Sequence, residues 1–179
     1  GIARDVGPVV QHRRFVGRAR ELADVVARLE RHRVVTLTGV GGAGKTRLAI
    51  EVATEHIDQF KHGAWMVNLS PLRDPALVPN TVADVLKINE QTGREMLEVL
   101  GDHLRDKQML LILDNCEHLL AACAALADSL LRDCPNLHIL ASSREALSID
   151  GEQAYHVRSL ALPQHMEGLS LAQLAGYEA

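Results

Sequence analysis

Gly39-Val40-Gly41-Gly42-Ala43-Gly44-Lys45-Thr46 fits the pattern G-x-x-x-x-G-K-[ST], and its surroundings decide how the chain folds. Immediately before it, Val34-Val35-Thr36-Leu37-Thr38 is a β-branched run of the kind that forms a buried strand. Immediately after it, Leu48, Ala49, Val52, Ala53 and Ile57 recur at helical spacing on one face. Strand, glycine-rich loop and helix are the setting that a phosphate-binding loop needs. Gly41, Gly42 and Gly44 lack a Cβ, so the backbone there can take unusual dihedrals and bring its N–H groups close to an anion. The loop opens into a helix N-terminus, where unpaired N–H groups and the dipole favour negative charge. Lys45 adds a full positive charge for the outer phosphates, and the Thr46 hydroxyl is a candidate Mg2+ ligand.

Working outward, Leu22, Val25, Val26 and Leu29 form the apolar stripe of a helix expected over about 20–31. A second strand is expected over 63–69, broken by Ser70-Pro71. Asp74-Pro75 is a helix start, with the helix running to about Leu86. Thr92-Gly93-Arg94-Glu95 has the capping-box pattern ahead of Met96, Leu97, Leu100 and Leu104. Met109-Leu110-Leu111-Ile112-Leu113, a continuous apolar run ending in Asp114, reads as a strand buried on both faces. Leu119, Cys123, Leu126 and Leu130 mark the next helix, which ends before Pro135. Strands over 137–141 and 154–157 complete the pattern. Alternating strands and helices predict an α/β sandwich on a mainly parallel sheet, with the ligand outside the carboxyl ends of the strands.

Composition narrows the function classes. The 179 residues suit one domain with a sizeable core, and 47% of them are hydrophobic without any run long enough to span a membrane. Net charge is −4, which gives no general footprint for nucleic acid. The arginine patches at 13–14, 20 and 28–33 read as solvated edges, with Arg18 set apart. Three cysteines, Cys116, Cys123 and Cys134, form no C-x-x-C pair and fit a reducing, cytoplasmic setting, with Cys123 on an apolar helix face. Nine scattered histidines show no metal-ligand spacing. A loosely ordered segment is expected over 1–14, the nucleotide-binding domain over 15–162, and over 163–179 a linker and the start of a further helical subdomain. The missing initiator Met is read as the mark of a fragment.

Three polar signals fall at the carboxyl ends of strands: the phosphate loop, Asp114 and Arg144. Asp114 has the position of a Walker B aspartate holding Mg2+ beside Thr46, or it caps the following helix. The next position, where many related NTPases carry a second acid, is Asn115, which cannot accept a proton; slow turnover is the consequence. Glu117 is the nearest carboxylate and reads equally as a catalytic base or as a first-turn charge. Arg144 reads as a γ-phosphate sensor that neutralises transition-state charge, or as a surface arginine paired with Glu145 or Glu152.

Taken together, the segments resemble the signal-transduction ATPases with numerous domains (the STAND class, with the AP-ATPase or NB-ARC type of apoptosome and plant disease-resistance proteins). The likeness is strongest to actinobacterial-type regulators of the LuxR and antibiotic-regulatory classes. It is carried by Phe15-Val16-Gly17-Arg18-Ala19-Arg20-Glu21-Leu22, by 35–39 leading through Gly44-Lys45-Thr46-Arg47-Leu48-Ala49, and by Leu111-Ile112-Leu113-Asp114-Asn115-Cys116-Glu117-His118-Leu119. Ser142-Ser143-Arg144-Glu145, Leu160-Ala161-Leu162-Pro163 and Leu174-Ala175-Gly176-Tyr177-Glu178-Ala179 add to it.

The resemblance implies a P-loop NTPase three-layer sandwich with a five-stranded parallel sheet ordered 5-1-4-3-2. It implies that Val16, Gly17 and Arg18 line the adenine pocket, that the loop from Gly39 through Val40, Gly41, Gly42, Ala43, Gly44, Lys45 and Thr46 to Arg47 holds the phosphates, and that Arg144 senses the nucleotide. It further implies ADP in a closed monomer, ATP in an open and self-associating form, a winged-helix subdomain closing the site, and an output module elsewhere. On this reading the domain is a Mg2+-dependent ATP/ADP switch with weak ATPase activity and no direct nucleic-acid or membrane contact. GTP is disfavoured because no N-K-x-D tetrad occurs. The competing reading, a P-loop kinase-like phosphotransferase, lacks an arginine-rich lid segment between the third and fifth strands.

Overall fold

A computed structural model describes residues 18–159. The expected segments at 1–14 and 163–179, together with Val16 and Gly17, lie outside the described residues. Five strands form one parallel sheet: β1 (Val34–Thr38), β2 (Ala64–Asn68), β3 (Met109–Asp114), β4 (Leu137–Ser143) and β5 (Glu152–His156). Their order is β2-β3-β4-β1-β5, the expected order read from the other edge. The helices are α1 (Ala19–Arg31), α2 (Lys45–His56), α3 (Val78–Leu86), α4 (Met96–Leu104) and α5 (Leu120–Asp133). Among the described residues, no helix is long and apolar enough to cross a membrane.

Side-chain alternation along the strands divides the core in two. Met109, Leu111 and Leu113 of β3 join Ile139 and Ala141 of β4 under α3, α4 and α5. Leu110, Ile112 and Leu140 point the other way, onto Val25 and Leu29 of α1 and Leu48, Ala49, Val52 and Ala53 of α2. Every residue of β3 is buried, which is why the run carries no polar residue until Asp114. Asp114 is in phase with Leu110 and Ile112, and Ser142 with Leu140. The alternation therefore sends both toward the face that α2 covers, at the carboxyl edge of the sheet.

Several local expectations are corrected. No capping box forms at Thr92–Glu95: α4 starts at Met96 with Glu95 in extended backbone at its N-cap and no side-chain cap bond. Arg94 instead pairs with Asp102 at 2.6 Å, because the chain turns at Gly93, whose φ is +76°. Asp74 does accept from the Ala76 N–H, but the turn it opens is a 3-10 turn, Pro75–Leu77, with α3 beginning at Val78. Arg33, grouped above with solvated edges, donates to the carbonyls of Cys134 at 2.9 Å and Leu131 at 2.7 Å, so it caps the C-terminus of α5. Cys116, Cys123 and Cys134 are free and buried, Cys123 within the α5 side of the core.

Candidate functional site

The loop between β1 and α2 draws its shape from three glycines with positive φ, Gly39, Gly42 (φ +79°) and Gly44. Gly39 has φ +144°, and a Cβ built on it would stand 2.6 Å from the Val157 carbonyl oxygen, where the chain leaves β5. Gly44, with φ +85°, lets the chain turn into α2. Gly41 needs no positive φ and lies beside Arg144, whose Nη2 would stand at an ordinary contact distance, 3.6 Å, from a Cβ there. Val40 stands at the crest of the loop, 62% exposed.

Lys45 is buried, and its Nζ donates to the carbonyls of Gly39 at 2.6 Å and Val40 at 2.9 Å. Among the described residues no carboxylate forms an ion pair with it. Thr46, one residue on, places its Oγ1 at 2.9 and 3.0 Å from the two oxygens of Asp114. The loop and the end of β3 thus meet as the sequence anticipates. Asp114 caps nothing, since α5 begins only at Leu120.

Around Asp114 the structure adds partners. Ser142 Oγ donates to Asp114 Oδ1 and accepts the Asn115 N–H at 3.0 Å. Asn115 sits at φ +63°, a left-handed conformation that asparagine tolerates, and its amide donates to Asp114 Oδ2 at 3.2 Å. Glu117 follows in the turn before α5, with Oε2 buried and without a hydrogen-bond partner among the described residues. That turn is not yet helical, so the reading of Glu117 as a first-turn charge of α5 does not hold.

Arg144 is exposed and forms no ion pair with Glu145 or Glu152. Glu152 is committed elsewhere: it accepts from Thr36 Oγ1 at 2.6 Å and from the N–H groups of Leu147 and Ser148 at 2.8 and 2.9 Å. Arg144 borders an open cleft of about 290 Å³ with Gly39, Val40, Gly41 and His156. His156, the last residue of β5, was not singled out in the sequence, and neither was a role for Ser142. For Ser142 the signal was available: a polar residue in phase with Leu140 at the carboxyl end of an apolar strand.

Arg18 is only 2% exposed. Its guanidinium pairs with Glu21 and donates to the Ala43 carbonyl inside the loop and, at 3.0 Å, to the Arg158 carbonyl after β5. It therefore ties the start of α1, the loop and the exit of β5 together. Arg47 is exposed in the first turn of α2.

The loop, buried lysine, strand-end aspartate and sheet order together specify a P-loop NTPase. Residues 9–149 match the model of the novel STAND NTPase 1 family. The chain belongs to that family. The STAND domain is 43% identical over 148 residues to an uncharacterised protein of Mycobacterium tuberculosis, covering 83% of this chain and 38% of that protein. It is 43% identical over 136 residues to another M. tuberculosis protein, provisionally named an HTH-type transcriptional regulator, covering 76% of this chain and 15% of that one. The chain thus spans well under half the length of either relative. Among solved structures it shares its fold with Cdc6p from Pyrobaculum aerophilum, at a TM-score of 0.62, 21% identity, and coverage of 84% of this chain and 47% of that one. A STAND protein with a tetratricopeptide repeat sensor from Pyrococcus horikoshii gives a TM-score of 0.53 at 18% identity, covering 79% of this chain and 23% of that one.

Proposed function

We propose that the STAND domain binds ATP and ADP with Mg2+ at the Gly39–Thr46 loop and serves as a regulatory switch that hydrolyses ATP slowly. The observation that carries this reading is Lys45, a buried ammonium held by two loop carbonyls with no carboxylate paired to it among the described residues. A cation so placed is costly to bury unless an anion joins it, and a polyphosphate in the loop supplies that anion.

Thr46 and Asp114 already share hydrogen bonds and present the hydroxyl and carboxylate oxygens that suit Mg2+. Bound there, the ion would neutralise charge on the phosphate oxygens. In hydrolysis, Glu117 Oε2 takes a proton from the attacking water as its oxygen bonds to the γ-phosphorus and the bond to ADP breaks. Its support is the buried oxygen without a partner. Asn115 cannot take that proton, which is consistent with slow turnover. Arg144, beside Gly41 and without an ion pair among the described residues, is suited to feel the γ-phosphate and so to separate ATP from ADP. Arg18, with Val16 and Gly17, is assigned to the nucleoside side, acting through the loop and the exit of β5.

The provisional HTH name of one relative supports placing this switch within a larger signalling or transcriptional regulator of LuxR type or a related type. On this reading a winged-helix subdomain closes the site, ATP favours self-association, and DNA contact belongs to other domains of a cytoplasmic protein. The test is calorimetric titration with Mg-ATP and Mg-ADP, followed by phosphate release. Lys45→Ala should weaken both affinities about 10- to 100-fold, the worth of a charge-assisted contact. Unchanged affinity in Lys45→Ala would overturn the assignment.

A further inference from the structure

Asp114 does not meet Thr46 as a free carboxylate. Ser142, 1% exposed at the end of the neighbouring strand β4, donates its hydroxyl to it. Three hydrogen bonds converge on this one residue. Its hydroxyl donates to Asp114 Oδ1, the same oxygen accepts the Asn115 N–H at 3.0 Å, and its carbonyl accepts the Cys116 N–H at 2.9 Å. The turn Asp114-Asn115-Cys116 passes through a left-handed residue and has no helical bonds of its own at this point. Its backbone is therefore fixed to β4 through Ser142.

We infer that Ser142 is the positioning residue for the metal-binding carboxylate, an inference that rests on the Mg2+ reading of Thr46 and Asp114. A hydroxyl has a single proton, and Ser142 gives it to Oδ1 while one of its lone pairs accepts the Asn115 N–H. Oδ2 takes the Asn115 amide at 3.2 Å, and the Thr46 hydroxyl reaches both oxygens, at 2.9 Å from Oδ1 and 3.0 Å from Oδ2. When Thr46 Oγ1 turns to a cation, Asp114 loses the Thr46 contacts to its two oxygens and keeps the bonds from the Ser142 hydroxyl to Oδ1 and from the Asn115 amide to Oδ2. Partners of this kind behind a metal ligand fix its direction and are worth about 10- to 100-fold in metal affinity. Two residues further on, the same strand end carries Arg144 beside Gly41, so the metal carboxylate and the candidate γ-phosphate sensor are referenced to one short piece of backbone.

Ser143 provides an internal control. It is also buried at the end of β4, on the opposite face, and its hydroxyl has no hydrogen-bond partner among the described residues. The experiment measures ATP affinity calorimetrically across a Mg2+ titration and in EDTA, for wild type, Ser142→Ala and Ser143→Ala. The expected result is that Ser142→Ala needs about tenfold or more Mg2+ to reach half of the Mg2+-dependent gain in affinity, while its affinity in EDTA matches wild type. Ser143→Ala should follow the wild-type Mg2+ curve. A Ser142→Ala curve that superimposes on wild type, or an equal shift in Ser143→Ala, would overturn the role of Ser142. A wild type whose ATP affinity ignores Mg2+ would overturn the metal reading of Asp114, and the role of Ser142 with it.

Discussion

The Thr46 hydroxyl lies 2.9 and 3.0 Å from the two carboxylate oxygens of Asp114, although 68 residues separate them in the chain. One stands in the first turn of α2 and the other ends β3, and they meet because both project from the carboxyl edge of the same sheet. That contact joins the glycine loop to a carboxylate, while among the described residues no carboxylate forms an ion pair with Lys45.

Asp114→Asn tests the contact. An amide keeps the shape and can still bond Thr46 and Ser142, but it has lost the charge that holds a divalent cation. ATP affinity without Mg2+ should stay within a few-fold of wild type, whereas Mg2+-dependent phosphate release should fall about 100-fold or more. Continued release at the wild-type rate would remove Asp114 from the chemistry.

Arg144→Ala should be nearly silent for stability, because the side chain is exposed and forms no ion pair among the described residues. Its effect should appear in nucleotide discrimination. The ratio of ATP to ADP affinity should drop about tenfold, with ADP affinity little changed. An unchanged ratio in parallel calorimetric titrations would show that the γ-phosphate is read elsewhere.

Gly39→Ala should damage the fold as well as the site. The backbone there has φ +144°, and the new Cβ would meet the Val157 carbonyl oxygen at 2.6 Å. Relief requires moving either the loop or the exit of β5, where the Val157 N–H also bonds the Thr38 carbonyl at 2.7 Å. Urea denaturation should show a loss of about 2 kcal/mol or more. Wild-type stability would mean that the loop relaxes freely at this point.

Burial lowers the His138 pKa below its ordinary value of 6.5, and the ring packs edge-on against Phe60 at 5.3 Å. The unfolded chain takes up a proton near 6.5 that the folded protein resists to lower pH. The folded state therefore binds fewer protons in that window, and stability falls as pH drops through it; above the window this residue adds no pH dependence. His138→Phe keeps an aromatic ring beside Phe60 and removes the proton. Its melting temperature should fall less than that of wild type between about pH 7.5 and pH 5. Parallel curves would exclude His138 as a source of acid sensitivity.

Much of the fold was legible because its signals are local. Val34–Thr38, the glycine loop and the helix after it are contiguous, the apolar run at Met109–Leu113 reads as a strand covered on both faces, and 137–141 reads as a further strand. The misjudged details are those where a neighbour distant in sequence outweighs local propensity. Thr92-Gly93-Arg94-Glu95 has the letters of a capping box, yet Arg94 is drawn to Asp102 and Glu95 takes the N-cap. Arg33 looks like a surface charge until α5 presents its last carbonyls to it.

By itself the sequence determined the family pattern: a glycine-rich loop after a strand, a lysine and a threonine at the helix start, and an aspartate closing an apolar strand. Residue type and spacing suffice there because the loop and its helix are adjacent in the chain. Only the tertiary structure decided how these groups are held. It turned Lys45 onto the carbonyls of Gly39 and Val40, buried Arg18 between Ala43 and Arg158, engaged Glu152 with Thr36, Leu147 and Ser148 and not with Arg144, and set Ser142 beside Asp114. Those arrangements depend on which strand ends lie side by side. That follows from the packing of two apolar faces across the whole sheet, which no local pattern records.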